Sequence, residues 1–148
     1  KFIHLVRKPC DFVTSGMNRD YYEKEPVQYQ RLEMQSKSWQ RYNRIQKIVE
    51  EWNLTNRFIE DFKKIISKDR ILTFRYEDIF NDIECSKRII KFIDPNIKPD
   101  DSFLANILIN PVNQNINKSF PFYEKWSPEQ RESYLSVIDK ELVLEYSY

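Results

Sequence analysis

The first five apolar-rich positions, Phe2-Ile3-His4-Leu5-Val6, are interrupted only by His4. A short apolar run with no helical period predicts a buried strand of a parallel sheet. Beyond Arg7 and Lys8 the period changes. Phe12, Val13, Met17 and Tyr21 form a stripe of helical spacing, which predicts a helix from Pro9 to about Tyr22. Proline at a first turn loses nothing, because the N–H it lacks would have had no helical partner there. Ser15 falls outside the stripe, one turn after Asp11. Residues 23–37 are polar, contain Pro26 and show no clear period, so they read as a loop, or as a loop running into a helix. Tyr42, Ile45, Val49 and Trp52 then recur at alternating steps of three and four. Phe58, Ile59, Phe62, Ile65 and Ile66 carry the pattern on, which predicts a long helical region with a bend at Asn53 to Thr55.

Ile71 to Phe74, β-branched and aromatic, predicts a second strand parallel to the first, with Tyr76 at its carboxyl end. Asp78 suits an N-cap or turn before Ile79. Ser86 to Ile93 reads as an amphipathic helix packed on the sheet, and Pro95 and Pro99 end it. Phe103, Leu104, Ile107 and Leu108 suggest a further short helix. Residues 110–126 are irregular and rich in Asn. Ser127-Pro128-Glu129-Gln130 has the signature of a helix start: a Ser cap, Pro at the first position and Gln at the third. Tyr134, Leu135, Ile138, Leu142 and Tyr146 form the buried stripe of one final helix. The order of elements is that of an α/β protein, with one domain over residues 1–148 and no internal repeat.

Composition narrows the chemistry. A chain of 148 residues can bury a real core. Its single glycine, Gly16, rules out a glycine-rich phosphate cradle, so side chains and helix N–H groups must hold any phosphate. A net charge of +1 gives no global field for nucleic acid. Cys10 and Cys85 lack metal-like spacing, and nothing in the chain calls for a metal. Cys10 lies at a helix start, where a thiol pKa can fall, but a small packing residue fits the same position. His4 reads as a core or sheet-face histidine ahead of a catalytic one. Asn53-Leu54-Thr55 and Asn117-Lys118-Ser119 match the glycosylation triplet. No run is long enough to cross a bilayer. No signal peptide is visible, which favours the cytoplasm and leaves the compartment open.

The chemistry-bearing junction is Val6-Arg7-Lys8-Pro9. Ligands of open α/β sheets lie beyond the carboxyl ends of strands, and the amino end of a helix favours anions. Arg7 adds a planar fork matched to phosphate. The segment therefore reads as a phosphate site.

The same stretch, Phe2 to Ser15, resembles the second nucleotide-binding motif of the PAPS-dependent sulfotransferases. In that motif a strand ends in arginine, a proline opens the next helix, and a serine follows eight positions after the arginine. Thr73-Phe74-Arg75-Tyr76-Glu77-Asp78-Ile79, followed by a helix and the pair Phe92-Ile93, is similar to the family's strand ending in Tyr-Glu-Asp-Leu. Trp52 and Asn56, one turn apart, and Lys125-Trp126 before the last helix also match family features. The resemblance covers nearly the whole chain.

The resemblance implies a P-loop-NTPase-like three-layer fold with a parallel sheet, of which this chain is a mostly helical C-terminal portion with few strands. It implies that Arg7 and Ser15 grip the 3′-phosphate of the sulfuryl donor PAPS, a nucleotide co-substrate. Tyr76 either lies against the adenine or packs at the strand end. Lys118 and Ser119 either add contacts to the 3′-phosphate or belong to a solvated loop. Trp52 and Asn56 are explained by packing, with ligand contact as the alternative. The family's 5′-phosphosulfate loop and its basic residue would lie before Lys1, in an N-terminal part expected to complete the enzyme. No catalytic residue is therefore assigned here, and the chain alone is expected to be inactive. The acceptor, a hydroxyl or amine, is open. Two further readings compete: a nucleotide-binding module without transfer, and a P-loop kinase-like protein.

Overall fold

A computed structural model describes residues 1–18, 38–109 and 119–148. The expected loop at 23–37, Tyr21 and Lys118 lie outside the described residues, while the helix that opens at Pro9, expected to run to about Tyr22, ends at Met17 with Asn18 in a turn. The protein is mixed α/β and mostly helical. It divides into two compact units, one of Lys1–Lys8 with Ile59–Gln114, the other of Pro9–Phe58 with Asn115–Tyr148.

The first unit holds the sheet. Strands β1 (Phe2–Val6) and β2 (Ile71–Arg75) pair in parallel, with Phe2 opposite Ile71 and Val6 opposite Arg75. Both bounds follow the apolar runs closely. The expectation that β1 is buried on both faces is corrected. His4 and Val6 are buried, whereas Ile3 is 36% and Leu5 49% exposed. Successive side chains of a strand point to opposite faces, so one face of β1 meets packed atoms and the other meets solvent. Among the described residues the sheet has two strands. Phe2 rests edge-on against Phe62, with ring centroids 5.0 Å apart. Lys1 donates to the Ile93 carbonyl at 3.2 Å and lies over the Phe92 ring.

After β2 the chain turns directly into helix α3 (Tyr76–Asn81), then α4 (Ile83–Ile93) and α5 (Asp101–Ile109). Asp82 caps α4 by accepting from the Glu84 N–H at 2.9 Å. Asp78, expected as an N-cap or turn residue before Ile79, lies inside the helix. Arg75 occupies the cap position, and Asp78 sits in the first turn, where Arg75 Nε and Nη2 both donate to it, at 2.8 and 2.7 Å.

The second unit is helical: α1 (Pro9–Met17), α6 (Pro128–Leu135), α7 (Lys140–Glu145) and the greater part of α2 (Arg44–Ile65). α2 is unbroken helix through Asn53 to Thr55. Asn53 is buried, and its side chain serves the segment between α6 and α7. Its Nδ2 donates to the Val137 carbonyl at 2.8 Å, and its Oδ1 accepts from the Asp139 N–H at 3.0 Å. An amide so enclosed is no glycosylation acceptor. The stripe of α2 also fades, since Phe58 and Ile65 are 71% and 83% exposed.

The final stripe belongs to two helices. The Ser127 capping box starts α6 as expected, with Gln130 Oε1 accepting from the Ser127 N–H at 2.8 Å. The helix stops after Leu135. Asp139 then caps α7 through the Glu141 and Leu142 N–H groups and pairs with Arg57 at 2.5 Å. Tyr134, Ile138, Leu142 and Tyr146 are buried as expected, while Leu135 is exposed.

Candidate functional site

The strand tips of the first unit carry the predicted arginine. The parallel register advances both strands together, so the residues after Val6 and Arg75 emerge side by side. Arg7 and Tyr76 are that next pair. The Arg7 guanidinium carbon lies 5.1 Å from the centre of the Tyr76 ring, within cation–π range. Tyr76 in turn leans on Phe80, one helical turn on, at 4.7 Å and a 55° tilt. One residue further, the Lys8 backbone N–H donates to Glu77 Oε1 at 2.9 Å. That carboxylate extends the ladder by one rung after the β2 backbone has turned into helix.

One ion pair closes locally at this tip. The bidentate Arg75–Asp78 pair commits one guanidinium to one carboxylate. The hydrogen bond from Arg75 holds the Asp78 carboxyl below the usual range. Glu77 is engaged by Lys8. Arg7, Tyr76 and Phe80 are each partly exposed, so the tip is open to a ligand from solution.

In the second unit, Ser15 stands half-buried on α1, beside the buried residues Val13 and Thr14. The buried face of α1 consists of Pro9, Cys10, Val13 and Thr14; of the expected stripe Val13 is buried, while Phe12 and Met17 are half-buried like Ser15. Just past α1, Asn18 gathers the segment 119–121. Asn18 Oδ1 accepts from the Phe120 N–H at 2.7 Å and from the Ser119 hydroxyl at 3.3 Å. Thr14 Oγ1 donates to the Pro121 carbonyl at 3.4 Å, and Trp126 Nε1 donates to the same oxygen at 2.9 Å. Ser119 is thus brought to the carboxyl end of the helix that carries Ser15. Asn18 escaped sequence reasoning, and Glu77 entered it only within the Tyr76-Glu77-Asp78 match, without its contact to Lys8. Both act on backbone groups far along the chain, and no local pattern marks such partners.

Other candidates resolve into packing. Trp52 and Asn56 are buried; the Trp52 ring meets Tyr146 edge-on, and Asn56 donates to the Trp52 carbonyl at 2.7 Å. His4 lies in the buried face of β1, and Cys10 is a buried cysteine outside any disulfide. Trp126 is buried among Phe120, Tyr123 and Tyr134. One titratable group stands apart. Glu51 on α2 is largely buried, its Oε2 has no hydrogen-bond partner among the described residues, and burial pushes its pKa up to about 7. Among the described residues no three His, Cys, Asp or Glu side chains group as metal ligands, and no helix is long and apolar enough to cross a membrane.

Comparison with protein-family models, with curated proteins and with solved structures finds no match to this chain.

Proposed function

We propose that the chain is the 3′-phosphate-binding portion of a PAPS-dependent sulfotransferase of P-loop-like fold. The observation that carries this reading is Arg7 at the carboxyl tip of a parallel strand, side by side with the Tyr76-Glu77-Asp78 tip of its neighbour. Open α/β sheets present ligands at such tips, and a guanidinium there matches a phosphate dianion in charge and in planar donor geometry.

PAPS supplies the activated sulfuryl group, and what these residues do is anchor its nucleotide end. Arg7 takes the 3′-phosphate through charge-assisted hydrogen bonds, each worth a net ~1.5–3 kcal/mol. Ser15 and Ser119 carry hydroxyl donors that the sequence resemblance assigns to the same phosphate, and they rest on sequence alone. Holding the donor's far end fixes the reacting sulfur in line with an acceptor, and the gain is the entropy of orientation. No bond-breaking role is assigned to any residue named here.

A thermal-shift comparison of adenosine 3′,5′-bisphosphate with AMP tests the reading. A ligand that binds only the folded chain raises its melting temperature by mass action. The bisphosphate is expected to stabilise at concentrations where AMP does not. Equal shifts, or none, would count against it and would favour a kinase-like nucleotide site or no nucleotide site.

A further inference from the structure

We infer that Tyr76 is a positioning residue for Arg7, so that the aromatic pair Tyr76–Phe80 sets the preference for a nucleotide with a 3′-phosphate; this rests on the donor-binding reading above. Sequence resemblance assigns Tyr76 to the adenine ring, or plain packing accounts for it. The geometry gives it a different task. Arginine is a long side chain with much rotamer freedom, and a phosphate gains from it only when the fork is already aimed. The ring of Tyr76 supplies a face for the guanidinium at 5.1 Å. Phe80 stands against that ring at 4.7 Å and restricts its rotation.

Three further contacts fix the mount. The β1–β2 register makes residue 76 the lateral neighbour of residue 7. The Lys8 N–H to Glu77 hydrogen bond pins the backbone just after Arg7 to the helix that carries Tyr76. The Arg75–Asp78 pair ties the first turn of that helix to the end of β2. Arg7 thus lies against the Tyr76 ring, and the backbone of the next residue is tied to the helix that carries that ring. Tyr76 is 37% and Phe80 40% exposed, so the stack borders solvent, where a nucleotide arrives.

An adenine platform and an arginine mount differ in what their loss does. A platform serves AMP and the bisphosphate alike, because both carry adenine. A mount serves only the nucleotide with the extra phosphate. Dissociation constants for both nucleotides are measured by calorimetry on the wild type, Tyr76→Phe and Tyr76→Leu. Tyr76→Phe keeps a ring face and is expected to keep the wild-type preference. Tyr76→Leu is expected to lower the preference about tenfold, equivalent to about 1.4 kcal/mol, with AMP affinity within twofold of wild type. Should Tyr76→Leu not fold, Phe80→Ala at its half-exposed site reads the same ratio, with an expected fall of about threefold. A parallel loss for both nucleotides makes Tyr76 an adenine platform and overturns the inference, as does an unchanged preference in Tyr76→Leu. A wild type without preference overturns the donor-binding reading itself and this inference with it.

Discussion

Glu51→Gln isolates the cost of one buried carboxylate. Glu51 has a folded pKa of about 7 against an ordinary 4.5, raised by burial alone. Between those values the folded chain binds more protons than the unfolded chain, so stability falls as pH rises through the window. The contribution is intact below about pH 4.5 and gone above about pH 7. At about 1.4 kcal/mol per pH unit, the interval from 4.5 to about 7 gives a ceiling of ~3 kcal/mol. Glutamine keeps the shape and cannot ionise. Comparing the two chains at each pH cancels every other titrating group that does not touch the site. The assay is urea unfolding of both proteins from about pH 5 to about pH 8. Wild type should lose about 1–3 kcal/mol relative to Glu51→Gln across that range, with the change centred between pH 5 and 7. A difference constant with pH, or one that grows in favour of wild type as pH rises, would refute the argument that this carboxyl is desolvated.

Two further substitutions probe the second unit. Asn53→Ala removes the side chain that satisfies the Val137 carbonyl and the Asp139 N–H; two buried groups left unpaired predict a loss of about 2–4 kcal/mol in denaturant unfolding, and a loss under about 0.5 kcal/mol would show that the α6–α7 junction does not depend on it. Gly16→Ala would place a Cβ 3.1 Å from two carbons of the fully buried Ile48 side chain. Crowding there should outweigh the gain of about 1 kcal/mol in helix propensity, giving net destabilisation in wild type. The same change in an Ile48→Ala background, which removes both crowding carbons, should be neutral or stabilising, and a sign that does not depend on Ile48 would contradict the steric account.

Local pattern carried part of this fold, and partners distant in sequence decided the rest. Phe2–Val6 and Ile71–Arg75 are readable as parallel strands because their apolar runs are short, β-rich and followed by helix signals. The Ser127 cap is readable because all of its parts lie within four residues. The break at Ser136 to Asp139 is not, since the stripe of Tyr134, Ile138, Leu142 and Tyr146 keeps a helical period across it. α6 stops at Leu135, and what starts α7 is Asp139, bonded to Arg57 and Asn53 on another helix. Asn53 looks like a helix breaker in sequence, yet it lies inside the continuous α2 and spends its amide on that junction. At the strand tip, Arg7 is legible as a cation at a strand end. Its seat on Tyr76 depends on strand register, which pairs residues as far apart as Lys8 and Glu77, 69 positions along the chain. The exposed face of β1 was misread because a continuous apolar run implies burial on both sides, and only Ile3 and Leu5 in place show which side is open.

The proposed role of Arg7 is to hold a ribose-side phosphate. Isothermal titration of adenosine 3′,5′-bisphosphate into wild type and Arg7→Ala tests it most directly, with AMP as the control ligand. The account predicts that the substitution weakens the bisphosphate by about 2–4 kcal/mol, as expected when a bound phosphate loses its charged partner, and leaves AMP nearly untouched. Unchanged bisphosphate affinity in Arg7→Ala would contradict it.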